Sequence, residues 1–118
     1  MYNTYMGDIV ANALKKGSLE MLVLALLEEA PRHGYEIGKL IEQRSGRTLR
    51  FHVASLYPAL YALERRGLVE GHWGLAGNGR KRRCYRLTRA GRRALADQRS
   101  LWRTFSNAIN RIAKVSYA

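Results

Sequence analysis

A chain of 118 residues with 47% hydrophobic residues is one domain with a modest core, because a second domain would have too little chain. Its formal net charge of +12 and pI near 10.6 call for a polyanion or an acidic membrane surface as partner. The longest apolar run, Met21 to Leu27, is too short to span a bilayer, and a lone Cys84 excludes an internal disulfide.

The charge is unevenly spread. Residues 1–50 carry seven basic and six acidic side chains, whereas residues 51–118 carry fourteen and three. No basic n-region followed by an apolar block marks a cleavable signal, and a free thiol fits a reducing compartment, so a cytoplasmic protein is expected.

In chain order, Ile9, Val10, Ala13 and Leu14 recur at helical spacing before Lys15-Lys16-Gly17, predicting a short amphipathic helix that ends there. Ser18 is a natural N-cap for a second, mostly apolar helix, LEMLVLALLEEA, stopped by Pro31. A third helix from about His33 to Arg44 buries Ile37, Leu40 and Ile41 and stops before Gly46. Thr48 to Phe51 reads as a short strand.

The next stretch, HVASLYPALYALERRGLV from His52 to Val69, puts Leu56, Leu60 and Leu63 on one helical face and Ala54, Pro58, Tyr61 and Arg65 opposite. One face wants a core and the other a partner. Pro58 is harmless only near a helix start, which puts that start at Val53 or Ala54, and Gly67 supplies the C′ residue. About three turns result, long enough to lie across a major groove. Val69–Trp73 and Arg82–Leu87 then read as strands joined by a glycine-rich tip around Asn78. Thr88 can cap a final helix whose Leu95, Leu101, Trp102, Phe105, Ile109, Ile112 and Val115 form an apolar stripe. A homodimer is the simplest closed arrangement that covers this stripe.

This order of elements predicts a mainly α fold with a small β-hairpin, a winged helix-turn-helix followed by a C-terminal dimerisation helix. Residues 1–87 would form the DNA-binding domain with its N-terminal helix, and residues 88–118 the dimerisation helix. Between Arg80 and Arg93 there are eight basic side chains and no acid, a ridge suited to phosphates beside the presented helix. On that helix Arg65 can reach a guanine edge or a phosphate, Ser55 and Tyr57 are hydrogen-bonding groups, and Ala54 and Pro58 can touch a thymine methyl. Tyr57 lies at the edge of the apolar stripe, while Tyr61 on the far face is hard to explain by packing.

The segments GSLEMLVLALL, HGYEI, SLYPALYALERRGLV and RKRRCYRLT, in this order and spacing from Gly17 to about Trp102, resemble the PadR family of bacterial transcriptional regulators. The resemblance implies a winged-helix homodimer that binds a palindromic double-stranded operator, represses transcription and lets go of DNA when a small molecule binds. Carried onto this sequence, its DNA-facing groups are His33, Tyr35, Ser55, Tyr57, Pro58 and the wing residues Arg80, Lys81, Arg82 and Arg83. Ala54-Ser55 departs from a common Gly-Thr pair, with Ser55 keeping the hydroxyl. A single helix after the wing resembles the small, multidrug-responsive branch, in which a tryptophan sandwiches flat aromatic ligands; Trp102 sits at that place. The alternative reading is that Trp102 simply packs the dimer interface.

An enzyme is not expected. His33, His52 and His72 are scattered over separate elements, no CxxC or HxxxH spacing occurs, and no glycine-rich phosphate loop follows a strand, so neither metal nor cofactor is anticipated. A non-specific basic nucleic-acid-binding protein would use the same arginines, and an aromatic-ligand or protein-interaction module would leave them incidental. The sequence does not decide which side chains read bases.

Overall fold

The computed structural model describes residues 4–75 and 79–115, with side chains from Gly17 onward apart from Leu75. Its elements are α1 (Thr4–Glu29), β1 (Arg32–His33), α2 (Gly34–Arg44), α3 (Val53–Arg65), β2 (Val69–Leu75), β3 (Lys81–Leu87) and α4 (Arg89–Ala113). A helical bundle of α1, α2 and α3 is flanked by an antiparallel sheet of order β1-β3-β2. The core gathers Val23, Leu24, Ile37, Leu60, Leu63, Tyr85 and Leu95, each below 1% exposed.

Three expectations are corrected by the structure. First, the helix does not break at Lys15-Lys16-Gly17: α1 runs through it without interruption, so Ser18 caps nothing. One interior glycine costs only about 1 kcal/mol relative to alanine, less than continuing the hydrogen-bonded ladder gains over a new start. Ile9, Val10, Ala13 and Leu14 lie on this helix, but their side chains fall outside the described residues. Second, Thr48–Phe51 is not a strand. The Ser45 hydroxyl accepts the Leu49 N–H at 3.0 Å, so that backbone donor is satisfied locally. Third, Leu95 does not belong to an outward stripe: it is fully buried in the chain's own core.

The helix-turn-helix forms where the pattern places it. The α3 helix starts at Val53 behind the extended His52, and closes with Leu68 N–H donating to Leu63 O at 3.0 Å and Gly67 N–H to Glu64 O at 2.9 Å. Gly67 occupies the left-handed position at φ 73° that this closure requires. The hairpin pairs Val69 with Leu87 through Leu75 with Lys81; the tip around Asn78 lies outside the described residues. A strand absent from the sequence reading, β1, adds Arg32 and His33 to the other edge of β3, opposite Tyr85 and Cys84.

The start of α4 is capped by its own Thr88 and tied by it to the turn after α3. Thr88 Oγ1 accepts the Gly91 N–H at 3.0 Å as the N-cap, and donates to Gly67 O at 2.7 Å. The fit is so close that a Cβ on Gly91 would stand 2.0 Å from the Leu68 carbonyl oxygen. Beyond Leu95 the helix leaves the core, and Leu101, Trp102, Phe105, Ile109 and Ile112 are between 41% and 83% exposed.

Candidate nucleic-acid interface

The two faces of α3 separate as the 3.6-residue period demands. Leu56, Leu60 and Leu63 are buried, whereas Val53, Ala54, Ser55, Pro58, Tyr61 and Arg65 are exposed. Val53 was missed by the sequence reading, although it sits one turn before Tyr57 at the end of the helix that would enter a groove first. Two grooves flank the ridge. One of about 580 Å³ holds Ser55, Pro58 and Arg65 beside Phe51 and His52. The other, about 600 Å³, lies between α3 and the hairpin and holds Tyr57 and Tyr61 facing Lys81, Arg82 and Arg83, with His33 and Tyr35 at its end.

The second groove depends on β1 and on the turn into α2. His33 is the N-cap of α2, its Nδ1 accepting the Glu36 N–H at 3.3 Å, so the ring is held by the helix it starts. Gly34 follows because no side chain fits there: a Cβ would meet the Tyr57 ring at 2.8 Å. This contact joins HGYEI to SLYPAL, and it leaves Tyr57 half-buried while the next aromatic, Tyr35, stands 63% exposed. The Tyr57 and Tyr61 rings lie 6.3 Å apart, tilted by 45°.

The wing residues divide. Arg80 and Lys81 are exposed and Arg82 is partly so. Arg83, which strand alternation turns the other way from Arg82, is directed inward: its guanidinium donates to the Glu64 carboxylate of α3 and lies 5.5 Å from the Trp73 ring centroid and 5.9 Å from that of Tyr85. The ion pair holds the Arg83 guanidinium above its already high ordinary value. Gly71 makes room for it, since a Cβ there would come within 2.6 Å of Arg83 Nε. Glu64 and Trp73 were not singled out from sequence, although the hairpin register sets Trp73 directly across from Arg83. Tyr85 closes the floor, and burial pushes its phenol up.

The electrostatics follow from how the acids are spent. Each of the seven glutamates is paired with an arginine: Glu20 with Arg66, Glu28 with Arg99, Glu29 with Arg32 and Arg44, Glu36 with Arg32, Glu42 with Arg50, Glu64 with Arg83 and Glu70 with Arg86. Arg44 holds the Glu29 carboxyl below the usual range, as Arg86 does for Glu70. Among the described residues, Arg65 on the presented side of α3, Lys81 and Arg82 on the wing and the α4 arginines other than Arg99 have no acid partner, and neither do Lys39 and Arg47 elsewhere. Side-chain cations flanking a helix of groove-crossing length suit phosphate contacts on either side of a base-reading element.

A winged helix-turn-helix of the DNA-binding class is defined by this arrangement, and comparison with known proteins makes the assignment specific. The sequence pattern of the transcriptional regulator PadR-like family matches residues 23–97, and the chain belongs to that family. It is similar to a PadR family transcriptional regulator from Eggerthella lenta, at 28% identity and a TM-score of 0.77 over 97% of this chain and 100% of that one. It is also similar to a transcriptional regulator from Clostridium thermocellum, at 26% identity and a TM-score of 0.78 over 85% and 97% of the two chains. Protein X of Lysinibacillus sphaericus is 31% identical over 94 residues, 80% of this chain and 86% of that protein. A 37.1 kDa protein of a Streptomyces fradiae transposon is 43% identical over 82 residues, which span 70% of this chain and 22% of that protein. The protein is thus a DNA-binding transcriptional regulator and not an enzyme. Among the described residues, no helix is long and apolar enough to cross a membrane.

Proposed function

We propose that the chain works as a homodimeric repressor on a palindromic operator, with residues 1–87 binding DNA and residues 88–118 joining the two copies. The observation that carries this reading is the apolar face of α4. Leu101, Phe105 and Ile112 are 70%, 56% and 83% exposed in the single chain, and a second copy of the same helix covers them with the same surface. Two presented helices related by a two-fold axis read inverted half-sites about one helical turn, or a multiple of one, apart.

In this reading Ser55, Pro58, Tyr61 and Arg65 face the groove, and His33, Tyr35, Tyr57, Arg80, Lys81 and Arg82 contact the backbone alongside. Arg83 holds the wing in place. Trp102 takes a flat aromatic ligand, which stacks on its indole and releases DNA. Two features support this role: the Trp102 and Phe105 rings are 6.1 Å apart, and a groove of about 550 Å³ opens beside Trp102 against Met21, Leu22 and Ala25 of α1.

Selection from random duplex DNA by the purified protein at near-physiological salt tests the reading. A recovered palindrome is the expected result. Tight, salt-sensitive binding with no recovered motif would replace it with non-specific nucleic-acid binding.

A further inference from the structure

A positive surface separate from the wing runs along α4. The helix is 25 residues long, about 37 Å at 1.5 Å per residue. Its basic residues are Arg89, Arg92, Arg93, Arg99, Arg103 and Arg111, against a single acid, Asp97. Their spacing places all six within about a third of the helix circumference, opposite the face that carries Leu101, Phe105, Ile109 and Ile112. All six are exposed. Among the described residues Arg99 alone of them is ion-paired, with Glu28 at 3.1 Å. A row of like charges of this kind costs the folded chain self-repulsion and attracts a partner of opposite charge.

We infer that this stripe is a second DNA-contacting surface, which holds the duplex flanking the operator and lengthens the site beyond the bases read by α3. The inference rests on the operator reading above. Three observations select duplex DNA as the occupant. The stripe is continuous with the recognition element, because Thr88 is hydrogen-bonded to Gly67, two residues after Arg65, and Arg89, Arg92 and Arg93 follow within the next turn and a half. From Arg89 to Arg111 it extends about 33 Å, close to one turn of B-DNA. The charges are also arginines lying opposite the apolar face rather than beside it. A helix that binds lipid must insert its apolar face while its cations stay at the headgroups, and in the proposed dimer that apolar face is covered by the second copy and is not free to insert. When the apolar faces of two copies pack together, the arginine rows are left outside.

The test compares the selected palindrome in a duplex with no flanks and in one with about 15 extra base pairs on each side, across a range of salt. The flanked duplex is expected to bind at least about tenfold more tightly at low salt, with a steeper salt dependence. Replacing Arg103→Gln together with Arg111→Gln removes this gain and lowers the salt slope on the flanked duplex by up to about 1.8. Binding to the flankless duplex stays unchanged, which also shows that the variant is folded. Arg103→Lys with Arg111→Lys retains the gain. Equal affinities and slopes for the two duplexes with the unaltered protein would overturn the inference while leaving the repressor reading intact. An equal loss on both duplexes in the glutamine variant would also overturn it. Capture by phosphatidylglycerol vesicles, lost in the glutamine variant and unaccompanied by a flank effect, would overturn it in favour of a membrane. Failure of the unaltered protein to prefer the palindrome over bulk DNA would remove the repressor reading itself, and this inference with it.

Discussion

Glu64 near the end of α3 and Arg83 on β3 are joined across the groove between recognition helix and wing, with the guanidinium set against Trp73 and Tyr85 and over the bare backbone of Gly71. Both side chains are about three-quarters buried, at 26% and 29% exposure. The pair therefore acts as a strut that fixes the angle between two DNA-contacting elements. A charge count and a strut make opposite forecasts for Glu64→Gln. Removing a negative charge near the duplex should tighten binding, but loosening the wing should weaken it, and the strut forecast is a loss of about fivefold. Arg83→Ala should weaken binding more than Glu64→Gln. Titration of a short operator duplex with each variant checks both, and tighter binding by Glu64→Gln would show that the wing does not depend on the pair.

Gly91 gives a sharper structural forecast. Its α4 backbone touches the turn after α3, where an added methyl would meet a backbone carbonyl rather than a flexible side chain. Gly91→Ala gains helix propensity, which is worth about 1 kcal/mol at most. The overpacking cost is larger, about 2–3 kcal/mol, so the net effect is destabilising. Urea denaturation of the unaltered and substituted proteins measures the difference. A stabilised variant would mean that α4 can move off Leu68 at little cost.

Tyr85 is fully buried, and its hydroxyl makes no hydrogen bond among the described residues. A buried hydroxyl without a partner costs roughly 1–3 kcal/mol in desolvation, while the ring itself fills the core beneath Arg83. Tyr85→Phe keeps the ring and removes the orphan. Its expected effect is an increase in stability of about 1 kcal/mol with DNA affinity unchanged. A loss of stability would reveal a bound water satisfying the hydroxyl.

These residues show what the sequence could and could not disclose. The presented helix was legible because apolar period, Pro58 and Gly67 all agree on its bounds, and Thr88 announced the last helix in the same way. The hairpin followed from alternation and glycine. Other features depend on contacts between segments far apart in the chain. The two-residue β1 has no periodicity to detect and exists because β3 offers it an edge. Leu95 shares its spacing with the outward apolar stripe, and only the docking of the first turns of α4 decides that it turns inward. Arg83 looks like its neighbours in a basic run, and Glu64, nineteen residues earlier, is what removes it from the duplex-facing set. Gly17 misled in the opposite direction, because continuing the hydrogen-bonded ladder of α1 outweighs one poor helix former.

Acid should loosen the helical side of the domain. The Glu29 carboxyl is held low by Arg44 first and Arg32 next, joining the end of α1 to β1 and to the end of α2. A folded-state value below the unfolded one makes its contribution fully present above pH of about 4.5 and lost as pH falls through the folded-state value. Denaturation midpoints should therefore hold from neutral pH to about 4.5 and drop below it, and Glu29→Gln should flatten that drop while lowering stability at neutral pH. An unaltered pH profile in the variant would show that the exposed cluster contributes nothing measurable.

The apolar seam permits the most direct separation of assembly from folding. Phe105 and Ile109 lie one turn apart beyond the part of α4 that the core holds, and they are 56% and 41% exposed in the single chain. Their replacement therefore removes little from the fold. Phe105→Asp with Ile109→Asp sets two carboxylates into each copy of the proposed seam, and across a two-fold axis these face carboxylates of the partner. Desolvating even one of them costs several kcal/mol, enough to dissociate a dimer held by this surface. Sedimentation should give the mass of one chain, circular dichroism should retain the helical signal of α1 to α3, and operator affinity should fall by at least about a hundredfold as two half-sites cease to be bound together. A variant that sediments as a dimer would move the interface off this face. A monomeric variant with undiminished operator affinity would show that one winged helix suffices for the site.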